Sequence, residues 1–254
     1  MKISFVALFL FLISASAAQE SPTFQWKPVL DPKAKITIRG IQYEAEFALH
    51  EWNIRRATDA STDVTRFELR PGDQWDEDRD SGENKERSEL DGYKQTFAHG
   101  SDVWGAYAFF IEPGADYRSD WTAINQMHGT KLRAFHVHFK QGKLIIYSEH
   151  APPGAGAVLA VRYSGPLSRN TWHNVVFHLR ESPSDNGRLE FWRDGERIID
   201  FTGPIGAAGN QAYWKFGIYR GYGPIPTPFA IQFANMEIGK SDLTARIASP
   251  LAVK

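Results

Sequence analysis

Cysteine is absent from this 254-residue chain. No disulfide, thiolate zinc site or lipid-modified cysteine is therefore available, and a packed core alone has to hold the fold together. An excess of charge of one sign is missing too. The formal net charge of -1 argues against general nucleic-acid binding, which favours a basic surface, but leaves room for a local basic cleft. Neither an amphipathic helix of any length nor an internal repeat can be found. Long apolar stretches are confined to the start, where Lys2 precedes the run Ile3 to Ile13 and the small residues Ser14-Ala15-Ser16-Ala17-Ala18. That run is too short to span a membrane; with its charged start and small-residue end it predicts a secretory signal peptide over 1–18, cut after Ala17 or Ala18. The expectation is a secreted or periplasmic protein with no membrane contact after cleavage. Residues 19–254 are expected to form one monomeric domain.

What is present reads as strands. With 42% hydrophobic and 23% charged residues the composition is that of a soluble globular protein. After a polar, proline-containing arm to Lys35, short alternating or aromatic-rich runs follow one another: Ile41 to Trp52, Arg66 to Arg70, Val103 to Ile111, Trp121 to His128, Leu132 to Lys140 and Lys143 to Ser148. Further runs cover Val158 to Tyr163, Trp172 to Leu179, Arg188 to Arg193, Arg197 to Phe201 and Phe229 to Ile238. Gln141-Gly142, Asp185-Asn186-Gly187 and Asp194-Gly195 mark turns between them. Many short strands at this spacing predict an all-β sandwich of two antiparallel sheets, with a jelly roll the favoured version. The acidic stretch between Pro71 and Lys85 offers oxygen ligands that could hold a structural calcium. It lacks the ordered spacing of an EF-hand and reads as a solvated loop. No cofactor and no metal ligand set is expected.

The stretch Tyr213-Trp-Lys-Phe-Gly-Ile-Tyr-Arg220 is the most informative. Read with a period of two, Trp214, Phe216 and Ile218 fall on a core face, and Tyr213, Lys215, Gly217 and Tyr219 on a polar one. Gly217 leaves a gap there that another backbone or a ligand can approach. Arg87 and Glu89 share a strand face opposite Leu90, and Gln126 and His128 share one opposite Met127. Singly, each is ordinary: Arg-x-Glu is often a cross-strand ion pair, and a lone histidine is more often structural than catalytic. Together they bring a cation, an amide, an imidazole and a phenol to one surface. That set suits β-elimination from a uronic-acid polymer. There the carboxylate must be neutralised, the enolate-like intermediate stabilised, the carbon 5 proton removed and the leaving oxygen on carbon 4 protonated. Tyr219 can serve as base and acid in turn if nearby positive charge, with Arg87 the candidate, lowers its reference pKa of roughly 10.

Arg87-Ser-Glu-Leu90, Gln126-x-His128 and Tyr213-x-Lys-x-Gly-x-Tyr219, in this order, resemble the three motifs of the jelly-roll alginate lyases. The longer stretches 86–90, 125–129, 214–220 and 235–239 are more similar to the heparin lyase I and glucuronan lyase group. The resemblance covers nearly the whole chain after the leader. It implies a concanavalin-like jelly roll with a concave glycan cleft, a lyase acting on an acidic polysaccharide such as β-1,4-glucuronan, and Gln126, His128, Tyr219 and Arg87 at the reacting uronate. Lys215, Glu89, Tyr213, Arg220, Tyr222, His136 and His138 are the substrate-binding candidates on this reading. Asp91, where alginate lyases often carry a basic residue, and Gly221, where their motif ends in Gln, set alginate back as the substrate. An alginate lyase of the same fold and a non-catalytic lectin-like module remain the alternatives. A glycoside hydrolase would need two carboxylates flanking the bond, and the Glu-x-Asp-x-x-Glu strand of jelly-roll hydrolases is absent.

Overall fold

The computed structural model describes residues 24–31, 33–57, 63–115, 119, 121–152, 154–221 and 227–253. The leader and Tyr222 lie outside the described residues. The strands run β1 (Trp26–Pro28), β2 (Lys35–Ile38), β3 (Ile41–Phe47), β4 (Ile54–Ala57) and β5 (Val64–Leu69), then a short helix α1 (Asp76–Asp80) and β6 (Lys85–Asp91). Next come β7 (Phe97–Ala98), β8 (Asp102–Ile111), β9 (Thr122–Gly129), β10 (Phe135–Lys140), β11 (Lys143–His150) and β12 (Val158–Pro166). β13 (Trp172–Arg180), β14 (Arg188–Arg193), β15 (Glu196–Thr202), β16 (Gln211–Gly221) and β17 (Phe229–Gly239) complete the series before a last helical turn, α2 (Ala245–Ala248).

These strands form two sheets. One has eight strands in the order β1-β4-β5-β17-β8-β13-β14-β15; the other has nine, in the order β12-β11-β10-β9-β16-β6-β3-β2 with β7 added beside β16. Neighbours within each sheet run antiparallel, so the all-β sandwich expected from the alternation is what forms. In β3, Tyr43, Ala45 and Phe47 are buried, while Gln42, Glu44 and Glu46 take the other face. The inward faces meet in one aromatic core. Phe216 packs edge-on against Tyr43 and Phe67, and Trp214 does the same against Phe177. Each such side chain withdrawn from water contributes roughly 1.5–3 kcal/mol before entropy is counted. The β10–β11 hairpin turns through Gln141 and Gly142, both at positive φ, as a two-residue connection matching the strand twist requires.

Strand β16 lies at the centre of the nine-stranded sheet, between β9 and β6. Its pairing with β6 is regular, Tyr219 standing opposite Arg87 and Gly217 opposite Glu89. Against β9 the register slips between Phe216 and Tyr219. Such a bulge re-aims the side chains that follow it. The gap at Gly217 belongs to a neighbouring strand and not to a ligand. A Cβ built there would lie 2.3 Å from the Ser88 carbonyl oxygen and 2.7 Å from the Glu89 Cα.

One reading of the sequence is corrected here. The acidic segment is not simply solvated. Asp73 is buried and accepts hydrogen bonds from Trp52 Nε1, Asn53 Nδ2 and the Arg70 amide, and Asp78 on α1 turns inward to Arg87. Trp104 and Trp192 are neither core nor site residues. They lie on the eight-stranded sheet, their rings parallel to within 17° at 6.2 Å, with His178 stacked 4.3 Å from Trp104.

Candidate active site

The outward face of the nine-stranded sheet gathers the polar residues of β3, β6, β9, β10 and β16. Lys215 stands opposite Gln126 on β9, and Tyr213 opposite His128; His136 on β10 also pairs with Gln126. Arg87, Gln126, His128, Lys215, Tyr213, Tyr219, His136 and His138 therefore share one sheet.

Tyr219 occupies the most cationic position. The Arg87 guanidinium lies over its ring at 4.1 Å, and Trp121 meets the ring edge-on at 4.9 Å. The Lys85 ammonium lies 5.4 Å from the ring centroid. Burial raises the Tyr219 pKa, while Lys85 and Arg87 oppose that rise. The resting phenol is protonated at neutral pH.

Beneath this surface the cations are already paired. Arg87 clamps Asp78 through Nε and Nη2 at 2.8 and 2.9 Å, and donates from Nη1 to Glu46 at 2.6 Å. Lys215 donates to the same Glu46 oxygen at 2.7 Å; its ammonium also lies 3.1 Å from Asp91 and 3.8 Å from Glu89. Although burial pushes it up, the Lys215 and Arg87 charges hold the Glu46 carboxyl at about 2. Asp91 goes the other way: burial outweighs Lys215 and lifts it to about 6. Glu46 and Glu89 face each other across β3 and β6, an unfavourable pairing that the two cations make tolerable.

This network corrects three assignments. Lys215 does not extend toward a substrate: its ammonium is committed to three carboxylates, so it orders the site from below. Glu89 has 0% exposure and cannot touch a polymer; its Oε1 accepts Gln126 Nε2 at 3.0 Å and so orients that amide. Arg220 takes the parity opposite to Tyr219, is also 0% exposed, and pairs inside the fold with Glu86.

The histidines are held neutral. Burial, with Lys215 and Arg133 nearby, pushes His128 down to about 4, and its Nδ1 is buried without a hydrogen-bond partner. Its ring lies 5.1 Å from that of Tyr213, whose phenol burial lifts to about 12. His136 and His138 share a 2.7 Å hydrogen bond between Nδ1 and Nε2, and His136 stacks on Tyr147. Burial lowers His138 to about 4, and lowers His136 to about 2 with help from His138. Lys85, Glu46 and Asp78 escaped the sequence reading. The polar parity of Glu46 on β3 was a visible sign, but nothing local said that β3 would lie beside β6.

The arrangement offers an amide, a neutral imidazole and a phenol flanked by two cations, with the carboxylates already neutralised. It is equipped for proton transfer next to an anion. The sequence profile described as polysaccharide lyase matches residues 37–236. The chain belongs to the polysaccharide lyase family and is an enzyme of that class. Among solved structures it is similar to an endo-β-1,4-glucuronan lyase from the fungus Trichoderma reesei, at 11% identity over 86% of this chain and 96% of that one, with a TM-score of 0.60. The alginate lyase AlgAT5 is 13% identical, over 85% and 94% of the two chains, with a TM-score of 0.56. An alginate lyase from Klebsiella pneumoniae is 11% identical over 76% and 85%, with a TM-score of 0.53. These likenesses establish the jelly-roll lyase fold. No curated protein matches the sequence.

Proposed function

We propose that this lyase cuts a β-1,4-linked glucuronan-like polymer by β-elimination, with Tyr219 moving the proton. The observation that carries the reading is the placement of the Tyr219 phenol, with Arg87 over its ring at 4.1 Å and the Lys85 ammonium 5.4 Å from the ring centroid, on the sheet face that also bears Gln126 and His128. In glucuronate and mannuronate the carbon 5 hydrogen and the carbon 4 oxygen leave from the same side of the ring, so one phenol can serve both. Gln126, oriented by Glu89, retains one amide N–H for the substrate carboxylate. His128, neutral, adds hydrogen bonding there rather than charge. Asp91 supports glucuronan over alginate, because its carboxylate stands beside Lys215 where a basic residue would leave a free cation.

The test is a panel of glucuronan, polymannuronate and polyguluronate, followed by the ultraviolet absorbance of the unsaturated product. Tyr219→Phe keeps the ring and its packing and is expected to lower turnover by about 10²–10⁴ or more, with polymer binding retained. Substantial activity in that variant removes Tyr219 from the chemistry. A second reading rests on His128, whose unprotonated ring has a lone pair free to accept a proton at neutral pH. A preference for guluronate, which eliminates across opposite faces, would move the base role to His128 with Tyr219 as the acid. The leader is proposed to direct export as one monomeric domain; N-terminal sequencing of the exported protein would locate the cut at Ala17 or Ala18.

A further inference from the structure

We infer that Lys85 is the positioning residue that readies the Tyr219 oxygen to take the carbon 5 proton, an inference that rests on the reading of Tyr219 given above. Strand pairing brings it there: Tyr219 opposes Arg87 and Gly221 opposes Lys85 across β16 and β6, so Lys85 and Arg87 sit on the same polar parity. They divide the phenol between them. Arg87 covers the ring face at 4.1 Å, while the Lys85 ammonium stands farther out, 5.4 Å from the ring centroid.

Their freedom to act differs. Arg87 has its charge committed to Asp78 and Glu46, both buried beside it. Among the described residues Lys85 has one carboxylate partner, Glu83, on the loop just ahead of β6, and that carboxylate is 44% exposed. A pair so open to water is worth little by itself, which argues against Lys85 being only half of a surface salt bridge. The other groups around Tyr219 are Asp78 on α1, whose charge opposes ionisation of the phenol, and the neutral His138 on β10, reached through Trp121. Of the two cations that favour the phenolate, Lys85 is the one not already neutralised by buried partners.

The chemistry requires such a group. The phenolate oxygen takes the carbon 5 hydrogen, and that bond's electron pair becomes the double bond between carbons 4 and 5. The bond from carbon 4 to its oxygen breaks, and the leaving oxygen collects the proton from the phenol, which returns to phenolate. No net proton is consumed, but the cycle begins from an ionised phenol that burial disfavours. An ammonium beside the phenol offsets that.

Two readouts test this on the full-length enzyme. Difference titration of the phenolate absorbance, enzyme minus Tyr219→Phe, isolates the ionisation of Tyr219. The pH profile of kcat/KM on the polymer reports its use. Lys85→Met is expected to move the Tyr219 midpoint and the rising limb upward together by about one pH unit, lowering kcat at neutral pH by about tenfold with KM nearly unchanged. Lys85→Arg should restore most of both. Glu83→Gln, which leaves Lys85 its charge, should not reproduce the Lys85→Met shift. An unmoved midpoint in Lys85→Met overturns the inference, as does a raised KM with an unchanged profile, which would make Lys85 a binding group. If the midpoint moves while Tyr219→Phe remains active, the coupling of Lys85 to Tyr219 stands and the proton-transfer role of Tyr219 falls.

Discussion

Gly217→Ala puts one methyl group into the most crowded backbone contact of the site. Gly217 has a φ of +138°, and the added Cβ would sit 2.3 Å from the Ser88 carbonyl oxygen, 2.7 Å from the Glu89 Cα and 3.1 Å from Phe67 Cδ1. Two costs are expected. Holding a side-chain-bearing residue at that φ costs about 1–3 kcal/mol. Overpacking against backbone, which cannot rotate away, adds about 1–3 kcal/mol. Gly142→Ala separates them, because Gly142 also has a positive φ, +72°, but nothing lies within 4 Å of its Cβ position. It should lose only about 1–2 kcal/mol. At about 2–4 °C per kcal/mol for a chain of this size, Gly217→Ala should melt clearly below Gly142→Ala. The displaced strand β6 carries Arg87 and Glu89, so turnover should fall as well, which Gly142→Ala should not show. Thermal melts and urea titrations measure the first effect and initial rates on polymer the second. If the two variants agree within about 0.5 kcal/mol and Gly217→Ala is fully active, the close approach of β6 does not matter and the reading of the gap at Gly217 is wrong.

Two other perturbations follow from buried charges. Burial lifts the Glu181 carboxyl from 4.5 to about 7, while its bond from Asn210 Nδ2 opposes the rise. A raised folded pKa means stability that is complete below the unfolded value and lost as pH rises through about 7. The loss should be about 2.5 kcal/mol between pH ~5 and pH ~8.5; Glu181→Gln, which still accepts the Asn210 bond, should flatten it, and urea midpoints that do not vary with pH in the wild type would contradict this. Arg220→Met strands the buried Glu86 carboxylate and should cost about 3–5 kcal/mol, with Glu86→Gln in the same chain recovering a large part. A loss below about 1 kcal/mol would mean that the pair contributes no more than a surface bridge.

Alternation along the chain was enough to read the strands and the facing of their side chains. The core positions of Trp214, Phe216 and Ile218 and the two-residue turn at Gln141-Gly142 follow from local pattern, because a strand's two faces are set every second residue and a tight hairpin needs residues that tolerate positive φ. Pairing is a different matter. Lys215 meets Glu46 across 169 residues of sequence, and no local signal in β3 says which strand will lie beside it. Arg220 shows how a motif misleads when parity is set aside: it adjoins Tyr219 in sequence yet points into the core, where Glu86 neutralises it. Protonation was equally out of reach. The neutrality of His128 and the resting phenol of Tyr219 depend on burial and on cations from β6, β16 and the β9–β10 connection, an environment that exists only once the sheet has closed. By itself, then, the sequence determined the strand pattern, the core and the residue types available for proton transfer, since these depend on neighbours along the chain. Tertiary structure decided which cations are already paired, which carboxylate orients Gln126 and which ammonium reaches Tyr219, because electrostatics acts through space between strands the chain brings together late.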